Sequence, residues 1–273
     1  MTIKRIGDMF MKYGLIGEKL THSYSKEIHE SIADYTYEIH PVAKQDFESF
    51  MTEKPFSAIN VTIPYKEMVI PFLDGLDDNA RSIRAVNTIV NENGKYIGHN
   101  TDFAGFMYMI KKHNIEIAGK KVLVLGKGGA SKAVTAVLKK LSASDIITVY
   151  YKEAPGCVTY EECLKNHTDA SVIVNTTPVG MYPNADASPM DLTPYTSCKA
   201  VIDLIYNPLE TKILAQAREL NMISVCGLEM LVAQAVYASE YFRGIKIYDT
   251  DNRYIELIDS IAVKIRDMMT SQL

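Results

Sequence analysis

Hydrophobic and polar positions in the second half of the chain alternate between short apolar runs and longer amphipathic segments. The first run, Lys121–Leu125, leads into a glycine turn, and a helical pattern begins near Gly129. Segments such as Glu210–Leu220 have helical spacing, and they separate four further strand-like runs: Ile146–Tyr150, Ser171–Val174, Ala200–Leu204 and Met222–Val225. Strands that alternate with helices of this length predict a parallel, doubly wound sheet.

The first half of the chain shows a similar alternation. Helical patterns at Lys26–Tyr35 and Lys44–Met51 lie between three apolar runs, at Tyr13–Gly17, Tyr35–Ile39 and Phe56–Ile63. This order of strand, helix, strand, helix and strand predicts a second α/β sheet.

Three further patterns complete the predicted elements. Val86–Val90 and Lys95–Ile97 flank Asn93-Gly94, a pair that tolerates positive φ and therefore predicts a β-hairpin. Asp102–His113 has its apolar residues on one stripe, which predicts a helix that connects the two α/β regions. The amphipathic segment Asp251–Met269 is followed by no strand, and we expect it to cap a sheet and to return to the first region.

Composition and charge narrow the classes of function. A length of 273 residues suits one large or two ordinary domains, and a net charge of −4 with interspersed signs argues against nucleic acid as a partner. The densest apolar helix, Met230–Ser239, is too short to span a bilayer, and residues 1–11 contain no apolar run long enough for a signal peptide. The four cysteines form no C-x-x-C pair or zinc-type grouping, so we expect reduced thiols, no metal and a cytoplasmic protein.

The glycine turn after Leu125 predicts a phosphate-binding loop. Gly126 and Gly128 match the first two glycines of the dinucleotide fingerprint, and Ser131 stands in place of the third. Such a turn lets a diphosphate approach bare backbone N–H groups at the start of a helix, where the helix dipole favours negative charge. The alternative interpretation is a glycine turn that closes any β–α unit.

Four short polar clusters interrupt the first region at predicted strand ends, where open α/β sheets bind ligands. They are His22–Ser25, Asn60–Lys66, Ala85–Thr88 and Gly98–Asp102. Their hydroxyl and amide side chains can fix a hydroxylated and carboxylated small molecule. Taken singly, three residues have simpler explanations.

Ser25 can cap the following helix, with Glu27 near the capping-box position. Asp102 can be an acid at a helix N-terminus. Lys66 can be a solvated lysine, as most lysines are.

Together, Lys66 and Asp102 predict acid–base chemistry. An enzyme that reduces a ketone with a nicotinamide cofactor needs a proton donor at the carbonyl oxygen while hydride arrives at the carbon. A lysine ammonium can donate that proton, and a neighbouring carboxylate orients the ammonium and favours its charged form. His22, His29 and His99 lie near the same loops and are the competing candidates for this role.

The order of the polar and glycine motifs along the chain closely resembles that of shikimate dehydrogenases. The motifs that carry the resemblance are Tyr13–Gly17, His22–Ser25, Asn60–Lys66, Ala85–Thr88, Asn100–Asp102, Gly126–Ser131, Asn175–Met181, Asp203–Tyr206 and Gly227–Gln234. No single motif is specific, but their combination in this order is.

The resemblance implies an enzyme of two α/β domains that reversibly reduces 3-dehydroshikimate to shikimate with NADPH, a step toward chorismate and the aromatic amino acids. A substrate domain with a mainly parallel sheet would comprise residues 12–103 and 229–273, and a Rossmann-like NADP-binding domain would comprise residues 104–228. The C-terminal helix would pack on the substrate domain, and residues 1–11 would form an N-terminal extension. The protein would act as a monomer or homodimer, with a small-molecule substrate and no membrane or nucleic-acid partner.

The same resemblance assigns roles to individual residues. Lys66 would be the acid–base residue, with Asp102 as its partner, and Ser23 and Ser25 would bind the substrate carboxylate. Other substrate contacts would come from Asn60, Thr62, Asn87, Asp102, Tyr206 and Gln234. The expected cofactor-binding residues are Gly126, Lys127, Gly128, Gly129, Ala130, Ser131, Lys152, Thr176, Met181, Leu204, Gly227 and Met230.

The chain departs from the family pattern at several positions. Lys26 stands where the family commonly has proline, and Glu229 stands where glycine is frequent. At the end of the second strand of the cofactor domain, Tyr151-Lys152-Glu153 replaces Asn-Arg-Thr. Lys152 can reach the 2′-phosphate of NADP as a point charge but cannot stack on adenine as arginine does, and Glu153 would repel the phosphate. We therefore expect NADP as the cofactor, with NAD as the alternative.

Two competing interpretations keep the fold but change the function. A quinate/shikimate dehydrogenase that uses NAD would carry the same Lys66, Asp102 and paired serines. A dinucleotide-binding sensor without catalysis would have little reason to retain these residues and the hydroxyl-rich loops together.

Overall fold

The computed structural model describes residues 10–20, 23–245 and 252–271. The described chain divides into two compact units. One contains the residues up to Ala104 and those from Val232 onwards, and the other is Gly105–Leu231. Each unit contains one six-stranded sheet. The assignment of substrate to the first unit and dinucleotide to the second stays a prediction.

The sheet of the first unit is mixed. Its strands are β1 (Met11–Gly17), β2 (Glu38–Pro41), β3 (Phe56–Val61), β4 (Gly75–Leu76), β5 (Thr88–Glu92) and β6 (Lys95–His99). They lie in the order β2-β1-β3-β5-β6-β4, and only the β3–β5 and β5–β6 pairs are antiparallel. The sequence predicts a mainly parallel sheet. The predicted turn at Asn93 and Gly94, with φ angles of 55° and 87°, closes the β5–β6 hairpin and reverses the chain.

The C-terminal helix covers part of this unit. The helices that lie wholly within it are α1 (Ser25–Ile32), α2 (Phe47–Glu53), α3 (Asp78–Ile83) and α9 (Asn252–Thr270). Ile258, Ile261 and Ile265 of α9 are buried, and α9 packs against α1. Lys264 Nζ donates a hydrogen bond of 2.9 Å to Ser31 Oγ at this contact. The predicted packing of the last helix on the first domain is confirmed.

The sheet of the second unit is parallel throughout. Its strands are β7 (Lys121–Leu125), β8 (Asp145–Tyr150), β9 (Val158–Thr159), β10 (Val172–Asn175), β11 (Ala200–Asp203) and β12 (Ile223–Cys226), in the order β12-β11-β10-β7-β8-β9. The helices wholly within this unit are α5 (Gly129–Lys140), α6 (Tyr160–Asn166) and α7 (Lys212–Glu219). The strand order reverses at β7, and open α/β sheets bind ligands beyond the carboxyl ends of the strands at such a point, here β7 and β10. The predicted doubly wound sheet is confirmed.

Two helices carry the chain from one unit to the other, α4 (Thr101–Lys112) and α8 (Leu228–Arg243). In residues 10–20, 23–245 and 252–271, no helix is both long and apolar enough to cross a membrane.

Short elements are missing from the sequence prediction. Strands β4 and β9 have two residues each, too few for a periodic pattern. Helices α3 and α6 are also not predicted from the sequence, although a capping side chain precedes each of them. Asp77 accepts a hydrogen bond of 2.6 Å from the N–H of Ala80, and Thr159 accepts one of 3.2 Å from the N–H of Glu162.

Several predicted boundaries are wrong by one to three residues; the helix predicted at Lys44–Met51, for example, is Phe47–Glu53. Backbone hydrogen bonds explain two further differences. The strand predicted at Tyr35–Ile39 forms at Glu38–Pro41, because the Tyr37 N–H donates to Glu30 Oε1 at 3.0 Å instead of joining the sheet. Met11, which the predicted extension includes, is the first residue of β1, and its N–H donates to the Pro55 carbonyl at 2.8 Å. The rest of that extension up to residue 9, and Asp251 of the predicted last helix, lie outside the described residues.

Candidate active site

Three strand ends of the first unit meet at one edge of its sheet. Asn60 lies near the end of β3 and faces Thr88 at the start of the antiparallel β5, and Thr88 in turn faces His99 at the end of β6. Three of the four polar clusters, Asn60–Lys66, Ala85–Thr88 and Gly98–Asp102, therefore converge there.

Lys66 and Asp102 form an ion pair at this edge. Lys66 Nζ lies 2.6 Å from Asp102 Oδ2, and only 18% and 10% of the two side chains are exposed. The backbone holds Lys66 in place, because its carbonyl accepts a 2.7 Å hydrogen bond from the N–H of Val86. Lys66 is therefore not a solvated lysine, and its charge is compensated by a carboxylate at charge-assisted hydrogen-bond distance.

Asn87 fixes the other oxygen of this carboxylate. Its Nδ2 donates to Asp102 Oδ1 at 2.9 Å and lies 3.0 Å from Thr101 Oγ1, while its Oδ1 accepts the N–H of Thr101 at 2.7 Å. Thr101 Oγ1 also lies 3.5 Å from Gln234 Oε1 of α8. Both carboxylate oxygens of Asp102 are thus bonded to side chains, which restrains its rotation and orients Lys66. Sequence analysis does not single out Thr101, although it lies inside the Gly98–Asp102 cluster.

Tyr37 orients Asn60 through a hydrogen bond. Its hydroxyl donates a 2.7 Å hydrogen bond to Asn60 Oδ1, and burial raises the pKa of Tyr37 well above its ordinary value. Asn60 Nδ2 has acceptors at the Asn87 carbonyl (3.2 Å) and at Thr88 Oγ1 (3.0 Å). Both amide hydrogens of Asn60 thus have protein acceptors, which fixes the orientation of its side chain. Tyr37 is not among the residues predicted from the sequence to form the site.

Two hydroxyls lie together in the loop before α1. Ser23 Oγ is 3.0 Å from Ser25 Oγ and also accepts the N–H of Ser25 at 3.3 Å. Tyr24 occupies the N-cap position of α1 and no side chain caps the helix there, so Ser25 is not the helix cap. Thr62 is half-buried directly after β3, and its N–H donates to the Ile16 carbonyl at 2.9 Å.

The competing histidines have structural contacts. His29 is buried against the ring of Tyr37, with ring centroids 4.0 Å apart, and burial lowers its pKa to about 3. His99 Nδ1 lies 3.0 Å from Asp77 Oδ2, and its ring stacks on Tyr241 at 3.9 Å. The third candidate, His22, lies outside the described residues. These contacts favour Lys66 over the two described histidines as the proton donor.

The loop between β7 and α5 has the geometry of a phosphate-binding turn. Gly126 has a φ of 105°, and a Cβ atom there would lie 2.8 Å from Thr176 Oγ1. Gly128 occupies the N-cap position of α5 without a side-chain cap, and a Cβ atom on it would meet nothing within 4 Å. The space beside Gly128 is therefore open and no side chain caps the start of α5, which suits a diphosphate. Lys127 and Gly128 are exposed, and Gly129, Ala130 and Ser131 form the first turn of α5.

The neighbouring strand ends carry the remaining predicted cofactor residues. Thr176 follows β10, and its hydroxyl donates to the Leu125 carbonyl at 2.6 Å. The N–H of Gly227 donates to the Ile205 carbonyl at 2.9 Å, and any Cβ at Gly227 would collide with the backbone of Leu204. Met181, after β10, is exposed, and Met230 is buried in α8. Tyr206, which is predicted as a substrate residue, is half-buried after β11.

Asn175 and Asp203 shape these two loops, and sequence analysis assigns neither a role. They are opposite each other at the ends of β10 and β11, and Asn175 Nδ2 donates to Asp203 Oδ1 at 3.0 Å. Asp203 also accepts from Thr211 Oγ1 at 2.6 Å, and burial raises its pKa to about 6. Their presence in the Asn175–Met181 and Asp203–Tyr206 motifs is the signal that could identify them.

The end of β8 carries the Tyr151-Lys152-Glu153 segment, and all three residues are exposed. Lys152 Nζ lies 5.2 Å from the centroid of the Tyr151 ring. Among residues 10–20, 23–245 and 252–271, no group of three or more His, Cys, Asp and Glu side chains is arranged to hold a metal ion.

Glu229, the departure at the start of α8, pairs with two side chains at and just after the end of α4. Its Oε1 lies 2.8 Å from Lys112 Nζ, and its Oε2 lies 2.6 Å from His113 Nε2. Burial opposes its ionisation, but the hydrogen bonds from His113 and Lys112 outweigh burial and lower the pKa of Glu229 to about 2. A glycine at this position could not make these contacts.

Comparison with known proteins identifies the family. A family model described as the shikimate dehydrogenase substrate binding domain matches residues 15–89. The shikimate dehydrogenase (NADP(+)) of Clostridium perfringens (strain SM101) is 38% identical over 266 residues, which cover 90% of this chain and 97% of that protein. The chain belongs to the shikimate dehydrogenase family.

Solved structures of the shikimate dehydrogenase family have the same fold. A chorismate mutase/shikimate 5-dehydrogenase fusion protein from Clostridium acetobutylicum is 35% identical with a TM-score of 0.86, over 96% of this chain and 99% of that chain. Shikimate 5-dehydrogenase from Thermus thermophilus, solved with NADP(H) and shikimate, is 26% identical with a TM-score of 0.80, over 94% and 99%. The family resemblance inferred from the motifs is confirmed.

Proposed function

We propose that this shikimate dehydrogenase family member catalyses the reversible, NADPH-dependent reduction of 3-dehydroshikimate to shikimate. The observation that carries the proposal is the 2.6 Å ion pair of Lys66 and Asp102, set among amide and hydroxyl side chains at strand ends. Relatives named shikimate dehydrogenase (NADP(+)) and a relative solved with NADP(H) and shikimate support it. The step lies on the route to chorismate and the aromatic amino acids, and we place it in the cytoplasm, where the four free thiols would stay reduced.

Lys66 supplies the proton of the reduction. NADPH, when bound, supplies the hydride that adds to the carbonyl carbon. The ammonium of Lys66 donates a proton to the carbonyl oxygen, and the product is the alcohol. In the reverse direction the neutral amine accepts the proton of the hydroxyl. Asp102 holds the ammonium in position and stabilises its charge, and Asn87 holds Asp102.

The remaining polar side chains of the first unit bind the substrate. Ser23 and Ser25, with hydroxyls 3.0 Å apart, present both oxygens to one carboxylate. Asn60, Thr62, Asn87 and Gln234 contact ring hydroxyls, and Tyr206 is the further expected substrate residue. A site of fixed donors and acceptors rejects analogues that lack the matching hydroxyl, because its polar groups would lose their partners.

The residues of the second unit fit a dinucleotide. The positive φ of Gly126 turns the chain toward α5, and the uncapped start of α5 at Gly128 offers N–H groups to a diphosphate. Thr176, Leu204, Gly227, Met181 and Met230 lie on the following strand ends and on α8 and would line the rest of the cofactor. Lys127 and Lys152 are exposed cations that favour the additional 2′-phosphate of NADP over NAD.

One observation favours a second candidate, a quinate/shikimate dehydrogenase that uses NAD. Glu153 is an exposed carboxylate at the end of β8, where it would repel a 2′-phosphate. Steady-state oxidation of shikimate and of quinate, each with NADP and with NAD, decides between the candidates. The proposal expects the highest kcat/KM for shikimate with NADP. Higher kcat/KM with NAD and activity on quinate would establish the second candidate, and no activity on either acid would exclude both.

A further inference from the structure

The end of β8 carries an aromatic ring that neither the fold nor the proposed reaction explains. Tyr151 directly follows β8, and 70% of its surface is exposed. A single exposed tyrosine is ordinary on a protein surface. Its position is the unusual part, because β8 pairs with β7 next to the glycine loop, with Val149 opposite Leu125. In doubly wound folds the end of this second strand receives the adenosine half of a dinucleotide.

The ring of Tyr151 lies close to the ammonium group of Lys152. Lys152 Nζ lies 5.2 Å from the ring centroid of Tyr151, and the ring of Tyr150 lies 4.5 Å away at an angle of 55°. Hydrogen bonds with Tyr150 and Lys152 lower the pKa of Tyr151, and the hydrogen bond with Tyr151 raises the pKa of Lys152. An aromatic face and an ammonium group are therefore presented together at this strand end.

Tyr151 and Lys152 together can make the two contacts that a single arginine makes, stacking on a base and binding a phosphate. A guanidinium stacks on an aromatic base and binds a phosphate with the same planar group, whereas a lysine ammonium binds phosphate but has no flat face. A tyrosine ring has such a face, and bases stack on exposed aromatic rings in nucleic-acid-binding proteins. Tyr151 can thus supply the property that Lys152 lacks.

We propose that Tyr151 is a specificity-determining residue for the dinucleotide: its ring stacks on adenine, and its hydroxyl holds the Lys152 ammonium for the 2′-phosphate. The inference rests on the proposed NADP dependence, and it adds Tyr151 to Lys152 as a residue that determines this dependence. The hold on Lys152 matters because Glu153, next along the chain, carries the opposite charge and is also exposed.

The test measures binding of cofactor fragments and needs no turnover. Isothermal titration calorimetry of the full chain would use adenosine 2′,5′-bisphosphate and 5′-AMP as the two ligands. The variants are Tyr151→Ala, which removes ring and hydroxyl, and Tyr151→Phe, which removes only the hydroxyl. The control is Phe10→Ala, because Phe10 is similarly exposed (67%) but lies in the other unit. Thermal unfolding checks that each variant is folded, which is expected because Tyr151 is exposed.

Tyr151→Ala should weaken both ligands by about 5- to 150-fold, the range that corresponds to loss of one base stack. Tyr151→Phe should leave 5′-AMP binding unchanged and weaken the 2′,5′-bisphosphate by about 2- to 10-fold, the range of one hydrogen bond. Phe10→Ala should bind both ligands as the unmodified chain does.

The inference is overturned if Tyr151→Ala binds both fragments as tightly as the unmodified chain, or if the unmodified chain binds neither. A loss confined to the bisphosphate would overturn the stacking role and leave only the contact with Lys152. Shikimate oxidation by the unmodified chain is measured separately. Binding in the expected pattern without that activity would refute the proposed function and retain the role of Tyr151. Activity together with unchanged binding in Tyr151→Ala would retain the proposed function and refute the role of Tyr151.

Discussion

Lys66 Nζ lies 2.6 Å from Asp102 Oδ2, although 36 residues separate the two in sequence. Antiparallel pairing of β5 with both β3 and β6 brings the two chain segments to the same sheet edge. Both side chains are mostly buried, so removing either one leaves an uncompensated charge. Mutation of each partner therefore has a distinct and measurable effect.

Lys66→Met should lower kcat for shikimate oxidation by about 10²–10⁴-fold, because the proton acceptor is lost. The dissociation constant of NADP should stay within about twofold, since Lys66 belongs to the other unit. Lys54→Met is the matched control, because Lys54 also pairs with an aspartate, Asp74, but lies away from the strand-end cluster. Full activity of Lys66→Met would return the role to a histidine.

Asp102→Ala should impair both kcat and KM, because the carboxylate orients Lys66 and also contacts substrate. Loss of a charge-assisted hydrogen bond corresponds to about 1.5–3 kcal/mol, which is about a 10- to 150-fold decrease in kcat/KM. Asp102→Asn retains the shape and tests the charge separately. Unchanged kinetics of both variants would show that Asp102 is only an acidic residue in the first turn of α4.

Ser25→Ala should raise KM for shikimate by about 10- to 150-fold with little change in kcat, since a carboxylate is bound equally in the ground and transition states. Ser31→Ala, in the same helix, serves as the control because Ser31 contacts Lys264 rather than Ser23. The measurement is steady-state kinetics over a range of shikimate concentrations. An unchanged KM in Ser25→Ala would contradict the assignment.

The charges after β8 should set the cofactor preference. We expect the unmodified chain to favour NADP over NAD by about 10- to 150-fold in kcat/KM, as one charge-assisted phosphate contact allows. Glu153→Thr should widen this preference by removing repulsion, and Lys152→Ala should narrow it. Equal or better use of NAD by the unmodified chain would make Glu153 the candidate ligand of the ribose hydroxyls.

Glu229 should contribute stability that depends on pH. Its pKa falls from the ordinary 4.5 to about 2 in the folded chain. A lowered pKa stabilises the folded state fully above about pH 4.5, and this stabilisation is lost as the pH falls toward 2. At about 1.36 kcal/mol for each tenfold change in proton affinity, the contribution is at most about 3 kcal/mol, because solvent screening reduces it.

Chemical denaturation of the unmodified chain and of Glu229→Gln at several pH values measures this contribution. The difference in unfolding free energy should be largest above about pH 5 and should shrink as the pH falls. Glu116→Gln is the control, because Glu116 pairs with Lys120 on the exposed surface, where such pairs contribute less than about 1 kcal/mol. A pH-independent difference for Glu229→Gln would show that packing, not charge, holds the residue.

Much of the fold follows from local patterns in the sequence. Apolar runs such as Lys121–Leu125 identify the strands, and Asn93-Gly94 identifies the hairpin, because both signals are contained within a few residues. Strand β2 shows where this fails. Its start is displaced because the Tyr37 N–H bonds to Glu30, a contact that depends on how α1 ends and not on the alternation of side chains.

In the candidate site, too, some features could be predicted from local sequence and others depend on contacts between distant residues. Lys66 and Asp102 could be grouped from sequence because strand ends converge at one sheet edge. The hydrogen bond from Tyr37 to Asn60 could not be predicted, because nothing in the sequence around a buried tyrosine indicates a partner 23 residues away. The pairing of Asn175 with Asp203 requires that β10 and β11 are neighbours in the sheet and that these two residues are in register. Neither condition is visible in the local sequence.

The two units differ in how their residues are distributed along the chain. The second unit is one continuous stretch, Gly105–Leu231, whereas the first is completed only by residues from Val232 onwards. A ribosome working from the N-terminus therefore releases all six strands of the parallel sheet before it releases α9. A chain that stops before Asn252 keeps the complete parallel sheet but leaves α1 without its covering helix. Premature termination near the end of translation thus damages the unit that was begun first.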